Sequence, residues 1–219
     1  MTKRIFITAT DTDAGKTLIS SALTFKLSQT NKVACFKPVS AGCQLINGQL
    51  VNDDAKILMS LANCQQSLNS VNPIAFKEPI APHIAAQQLN VDISLDDLTN
   101  SYNEIIKLSP DVIITEGAGG WRLPLGNSKF LSDFAIQTKQ QIILVINLKL
   151  GCLNHALLTY ESIISDGLTC VGWIGNCIEP MPFAKENIAE LSSLIPVPCL
   201  GVIPKIEGYH QATEYINLP

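Results

Sequence analysis

Thr10-Asp11-Thr12-Asp13-Ala14-Gly15-Lys16-Thr17 contains the residue types a phosphate-binding loop needs. The apolar run Ile5-Phe6-Ile7-Thr8 before it reads as a short buried strand. After it, Leu18, Ile19, Ala22, Leu23 and Leu27 fall on one face at helical spacing. A strand, a tight turn ending Gly-Lys-Thr and a helix make up the P-loop pattern. Backbone N–H groups of the turn and the positive end of the helix dipole converge there on one anion. Gly15 lets the chain pass close to a phosphate, Lys16 can reach the β- and γ-phosphates, and the Thr17 hydroxyl can ligate Mg²⁺. The spelling departs from the usual one, which opens with glycine where this chain has Thr10, preceded by Ala9.

A second cation and two carboxylates stand where they can serve the same site. Val33–Phe36 reads as a buried strand, and Pro38 keeps Lys37 extended at its end. Ligands of open parallel sheets sit beyond the carboxyl ends of the strands, so Lys37 shares the rim with the P-loop. Asn52-Asp53-Asp54 opens a short amphipathic helix. Asp53 reads as a dipole partner of that helix, while Asp54 stays available to a metal–nucleotide site. Val112-Ile113-Ile114-Thr115 delivers Glu116 to the end of another buried strand, before Gly117-Ala118-Gly119-Gly120. That is the place where a Walker-B carboxylate holds Mg²⁺.

The elements that must position these groups alternate along the chain. Gln141–Asn147, Cys170–Asn176 and Val197–Pro204 read as further strands. Helices are expected after Asp54, from His83, from an Ser94 N-cap to just before Pro110, and after Lys149-Leu150-Gly151-Cys152-Leu153-Asn154. The predicted fold is doubly wound α/β with a mainly parallel sheet and three layers, a P-loop NTPase-like architecture in one domain spanning residues 1–219. Gly151 and Asn154 at a helix start suit either a carboxylate site or an ordinary capped βα loop. Asn176, at a strand end, can offer an amide to an adenine edge or simply shape a turn.

Of the 219 residues, 47% are apolar and 16% charged, which suits a sheet covered on both faces. A net charge of −4 with no basic cluster argues against nucleic acid as partner. No apolar run approaches the ~20 residues of a membrane helix. Seven cysteines without a C-x-x-C pair point to core thiols and a reducing cytoplasm, and Cys152 lacks a neighbouring base.

Taken together, Thr-Asp-Thr-x-x-Gly-Lys-Thr, Lys37-Pro38-Val39, Asp54-Ala55, Glu78-Pro79 with Pro82-His83, Glu116-Gly-Ala-Gly-Gly-Trp121, Lys149-Leu-Gly-Cys-x-Asn-His-Ala156, Gly172-Trp173 and Tyr215-Ile-Asn-Leu218 resemble the dethiobiotin synthetases, collinearly over nearly the whole chain. The resemblance implies a homodimer that uses ATP and Mg²⁺ to close a ureido ring on 7,8-diaminononanoate and CO₂. One amine becomes a carbamate, which attacks the γ-phosphate. The second amine then displaces phosphate from the mixed anhydride. It implies Lys37, Lys16 and Thr12 as catalytic residues and Thr17, Asp54 and Glu116 as metal ligands. Nucleotide contacts would come from Asp13, Ala14, Gly15, Lys16, Thr17, Leu18, Asp54, Glu116, Gly117, Ala118 and Gly119. Asn176, Cys177, Pro204, Lys205 and Ile206 would face the base. Substrate would meet Ser40 and Ala41 of one subunit and Gly151, Cys152, Leu153 and Asn154 of its neighbour. Where the family commonly has Ser or Thr, this chain has Ala41, with Ser40 one place early.

Two other readings share the loop. A small-molecule kinase needs the same positioning and charge neutralisation. Partitioning-type ATPases carry an additional lysine five residues before the P-loop lysine, where this chain has Asp11.

Overall fold

Six segments pair into one wholly parallel sheet: β1 (Lys3–Ala9), β2 (Val33–Phe36), β3 (Val112–Glu116), β4 (Gln141–Asn147), β5 (Cys170–Asn176) and β6 (Cys199–Ile203). The computed structural model describes residues 2–219. The spatial order is β6-β5-β4-β1-β3-β2. The chain leaves β1 for one edge and β4 for the other, so the carboxyl ends of these neighbours bound the crevice where such sheets bind ligands.

Strand alternation decides which side chain enters which layer. Phe6, Phe36, Ile113, Leu144 and Trp173 point to one face, and Ile5, Ile7, Cys35, Ile114, Val145 and Ile174 to the other. The second face is covered by α1 (Lys16–Ser28) and α2 (Asp53–Leu61), with Ala212 and Ile216 from the C-terminal stretch. The first carries α3 (Pro82–Gln88), α4 (Leu95–Lys107), α5 (Leu131–Gln137), α6 (Cys152–Ser165) and α7 (Ala184–Leu194). The doubly wound α/β expectation is therefore met. The last strand is shorter than the expected 197–204 span because Pro198 and Pro204 cannot donate to the ladder. Helix α5 has no counterpart among the expected elements. Among the described residues no helix is long and apolar enough to cross a membrane.

The loop after β1 needs no glycine at its entry. Ala9 is a strand residue paired with Val145. The left-handed turns come later, at Asp13 (φ 56°) and Gly15 (φ 90°).

Candidate active site

The carboxyl ends of β1, β3 and β2 open into a cleft of about 840 Å³. Thr12, Asp13, Gly15, Lys16 and Thr17 enter it from the P-loop, Lys37 from the end of β2, Asp54 from the first turn of α2, and Glu116, Ala118 and Gly119 from β3 and its loop. Each position has a local cause. Gly15 is the left-handed N-cap of α1, so Lys16 and Thr17 begin the helix facing the crevice. Asn52 caps α2 by accepting from the Ala55 N–H at 3.1 Å, which sets Asp53 and Asp54 in the first turn. Asp53 is exposed, as a dipole partner should be, and Asp54 turns onto Lys37.

The charges form one connected group. The buried Lys37 ammonium donates to Asp54 Oδ2 at 3.0 Å and to Glu116 Oε1, which also accepts from the Thr17 hydroxyl at 3.0 Å. Burial opposes the charge on Lys37, but Glu116 and Asp54 outweigh it and hold its pKa above the ordinary lysine value. Lys16 folds over the loop and donates to the Asp11 carbonyl at 3.2 Å. Burial, with repulsion from Lys37 next, pulls Lys16 down to about 8. A phosphate would reverse that shift.

These residues fit a magnesium ion. Glu116 is fully buried and its Oε2 has no partner, an expensive arrangement unless a cation reaches it. Thr17, Asp54 and Glu116 supply only oxygen, which suits this hard ion, and two carboxylates leave room for phosphate and water ligands.

The opposite wall is apolar: Ala41, Pro79, Ile80, Ala81, Pro82 and Leu123. Ser40 lines the cleft but its hydroxyl turns inward, donating to Asn72 Oδ1 at 2.7 Å beside the Cys43 sulfur at 3.1 Å. Asn72 in turn donates to the carbonyls of Lys37 and Ile74. The sequence reading gave no role to Asn72 or to the Pro79–Pro82 wall, although the prolines that shape the wall were in view. Trp121 and Arg122 both donate to Asp166, at 2.8 and 2.7 Å, tying the glycine-rich loop after β3 to the end of α6.

Of the expected nucleotide contacts, Ala14 and Gly117 are buried and, like Leu18, do not line this cleft, and two further groups of expected residues lie outside it. Asn176, Cys177, Pro204, Lys205 and Ile206 leave the ends of β5 and β6, on the other side of β1 from Lys37 and Glu116. Gly151, Cys152, Leu153 and Asn154 start α6 beyond β4, and none of them lines the cleft of its own chain. Gly151 takes φ 92° as N-cap without any side-chain cap. Cys152 is buried, and burial raises its pKa, which makes it a packing thiol rather than a nucleophile.

A family profile described as an AAA domain matches residues 3–213. The solved structure of the septum site-determining protein MinD of Pyrococcus horikoshii, in complex with Mg-ADP, superposes with a TM-score of 0.55 at 19% identity, covering 94% of this chain and 82% of that one. Apo McdA from Cyanthece gives 0.58 at 14% identity, covering 97% and 90%. At such identities the likeness concerns the fold alone. Sequence relatives are far nearer. The ATP-dependent dethiobiotin synthetase BioD of Pseudoalteromonas translucida is 45% identical over 218 residues, 99% of this chain and 96% of the relative. That of Cellvibrio japonicus is 43% identical over 207 residues, 93% and 90%. With a Gly-Lys-Thr loop and a lysine paired with two carboxylates in one cleft, and with identity of this order over nearly the whole chain, the chain belongs to the ATP-dependent dethiobiotin synthetases.

Proposed function

We propose that the protein makes dethiobiotin from 7,8-diaminononanoate, CO₂ and ATP, acting in the cytoplasm as a homodimer. The observation that carries the reading is the division of the cleft. Lys16 and Lys37 gather at one end with the carboxylates of Asp13, Asp54 and Glu116, and an uncharged wall of Ala41, Pro79, Ile80 and Leu123 forms the other. The charged end suits phosphates and a carbamate, and the apolar wall suits the aliphatic chain of a diamine.

The chemistry follows from the residues. One amine adds to CO₂ and loses a proton, giving a carbamate. A carbamate oxygen forms a bond to the γ-phosphorus as the bond to ADP breaks. The second amine then attacks the carbamoyl carbon, the ring closes and phosphate leaves. Lys16 neutralises the β- and γ-phosphates, and Thr12 and the loop N–H groups hold them in line. Lys37 stabilises the charge that develops between carbamate and γ-phosphate. Thr17, Asp54 and Glu116 would hold Mg²⁺, which when bound spreads the phosphate charge. Asn176, Cys177, Pro204, Lys205 and Ile206 would enclose the base.

The homodimer is supported by what surrounds the start of α6. Leu150 is 95% exposed and Phe183 75%, and both edge an apolar cavity of about 510 Å³ lined also by Met181 and Pro182. Apolar surface gathered in this way is the mark of an interface. In a two-fold dimer the start of α6, where the Cys152 N–H is already taken by the Lys149 carbonyl at 2.9 Å, would turn the N–H groups of Gly151, Leu153 and Asn154 to the carboxylate of substrate held at the neighbouring P-loop.

The test is product analysis by mass spectrometry with diaminononanoate, bicarbonate and Mg-ATP. The expected result is a ureido product, with ADP and phosphate formed only when both the diamine and bicarbonate are present. A phosphorylated diamine would establish the kinase reading instead.

A further inference from the structure

Asn176 stands apart from the other residues expected around the base, because its side chain is buried beneath the P-loop. It is 3% exposed. Its backbone is fixed within the sheet, opposite Asn147 on β4 and Ile203 on β6, and its carbonyl accepts from the Leu148 N–H at 2.9 Å. From that strand end its amide nitrogen donates to the carbonyl of Ala14 at 3.0 Å. A carbonyl can only accept, so the amide must present its nitrogen there. The fit is close: a Cβ placed on Gly15 would come within 2.1 Å of that nitrogen. The amide thus fills the space that the missing side chain of Gly15 leaves open.

We propose that Asn176 is a positioning residue for the phosphate-binding loop, holding the Ala14–Gly15 peptides so that the loop N–H groups face the phosphates whatever base is attached. This goes beyond base recognition and rests on the nucleotide reading above. The physical basis is the anchoring. The loop turns left-handed at Asp13 and Gly15, and a rigid strand is a better support for such turns than another loop. Removing the amide leaves the Ala14 carbonyl without its donor and frees the backbone that the cradle depends on.

The test separates phosphate from base by using inorganic tripolyphosphate, which has no base. Asn176→Ala should weaken tripolyphosphate and ATP by the same factor, roughly ten-fold for one buried hydrogen bond. Asn176→Asp keeps the shape but sets a carboxylate against the Ala14 carbonyl, so it should lose more of both. A base-reading role alone would lower ATP affinity and leave tripolyphosphate unchanged, and that result overturns the proposal. The wild-type protein gives a check that needs no variant. In a ¹⁵N-labelled sample the Asn176 side-chain amide protons should exchange slowly with solvent, and their resonances should shift on adding tripolyphosphate. Fast exchange with no shift would likewise overturn it. If wild type binds neither tripolyphosphate nor ATP, the nucleotide reading falls and this inference with it. If wild type binds both and the variants bind equally well, only the role of Asn176 falls.

Discussion

Lys37 has one ammonium group and two claims on it. In the structure it is paired with Asp54 and Glu116, the carboxylates proposed to hold Mg²⁺. In the proposed turnover it serves the carbamate and γ-phosphate. Lys37→Met should therefore have opposite effects on two measurements. Turnover should fall by ~10²–10³, as for loss of a charge-stabilising donor. Mn²⁺ affinity without nucleotide, followed by electron paramagnetic resonance, should rise, because two carboxylates lose their competing cation. Unchanged turnover would remove the catalytic role whatever the metal does. Lys16 gives a pH prediction. Its folded pKa of about 8 lies below the ordinary 10.5 of an unfolded lysine. Below pH 8 both states carry the proton and the fold bears the full cost of a buried charge. From pH 8 to 10.5 the unfolded chain binds more protons, so this group's penalty shrinks as pH rises. Lys16→Met without nucleotide should thus be more stable than wild type at pH 7, on the order of 1–3 kcal/mol. Urea unfolding should show that margin closing by pH 10. A margin that is constant with pH would mean Lys16 is not depressed. Lys37 and Glu116 were legible because each ends a strongly apolar strand. The contacts of Asn176 and Asn72 were not, since they span 162 and 35 residues with no local pattern to announce them.

Elements carried by apolar runs were readable, and so was the helix that Ser94 caps by accepting from the Asp97 N–H, but two short elements made by turns and capping were not. Strands 33–36, 141–147 and 170–176 follow the hydrophobic runs residue for residue. The hairpin Gln44–Ile46/Gln49–Val51 went unread although Asn47-Gly48 is a strong turn signal, with φ 50° and 81°. Its strands are only three residues long and largely exposed, so burial leaves little pattern in them. Helix α5 went unread for a related reason. It has only seven residues, and its start is marked by Asp133 accepting from the Phe130 N–H at 2.9 Å. Helix α2 is also short, and its cap positions a functional group. Asn52→Ala should cost about 1 kcal/mol of stability. It should also weaken Mn²⁺ binding in the presence of nucleotide, because Asp54 loses its fixed first turn. Asp53→Asn, on the same turn but exposed, serves as the control and should leave metal affinity nearly unchanged. Equal effects of the two variants would mean that charge near the helix end matters, and not the cap.

At the scale of the whole molecule, one chain brings the lysines and carboxylates of the proposed phosphate and metal site together with an apolar wall, but leaves the Gly151–Asn154 helix start outside its own cleft. No pattern within a single sequence announces the proposed arrangement, in which these residues meet only across a second copy; the resemblance alone pointed to it. A shared site makes a prediction that a self-contained one does not. Lys16→Ala disables the phosphate loop of a subunit. The helix start is best blocked at Asn154, which is exposed and helical, because Gly151 sits at φ 92° and any side chain there would strain the fold. Asn154→Trp alone should raise the Michaelis constant for the diamine while leaving ATP affinity nearly unchanged. Mixed with Lys16→Ala under confirmed subunit exchange, at a diamine concentration too low for either variant alone to turn over, it should restore activity. In the mixed dimer one site collects both defects and the other collects neither, and isologous symmetry puts the recovered activity at about one quarter of wild type for equal mixing. If each chain completed its own site, both sites of the mixed dimer would stay defective and no activity would return.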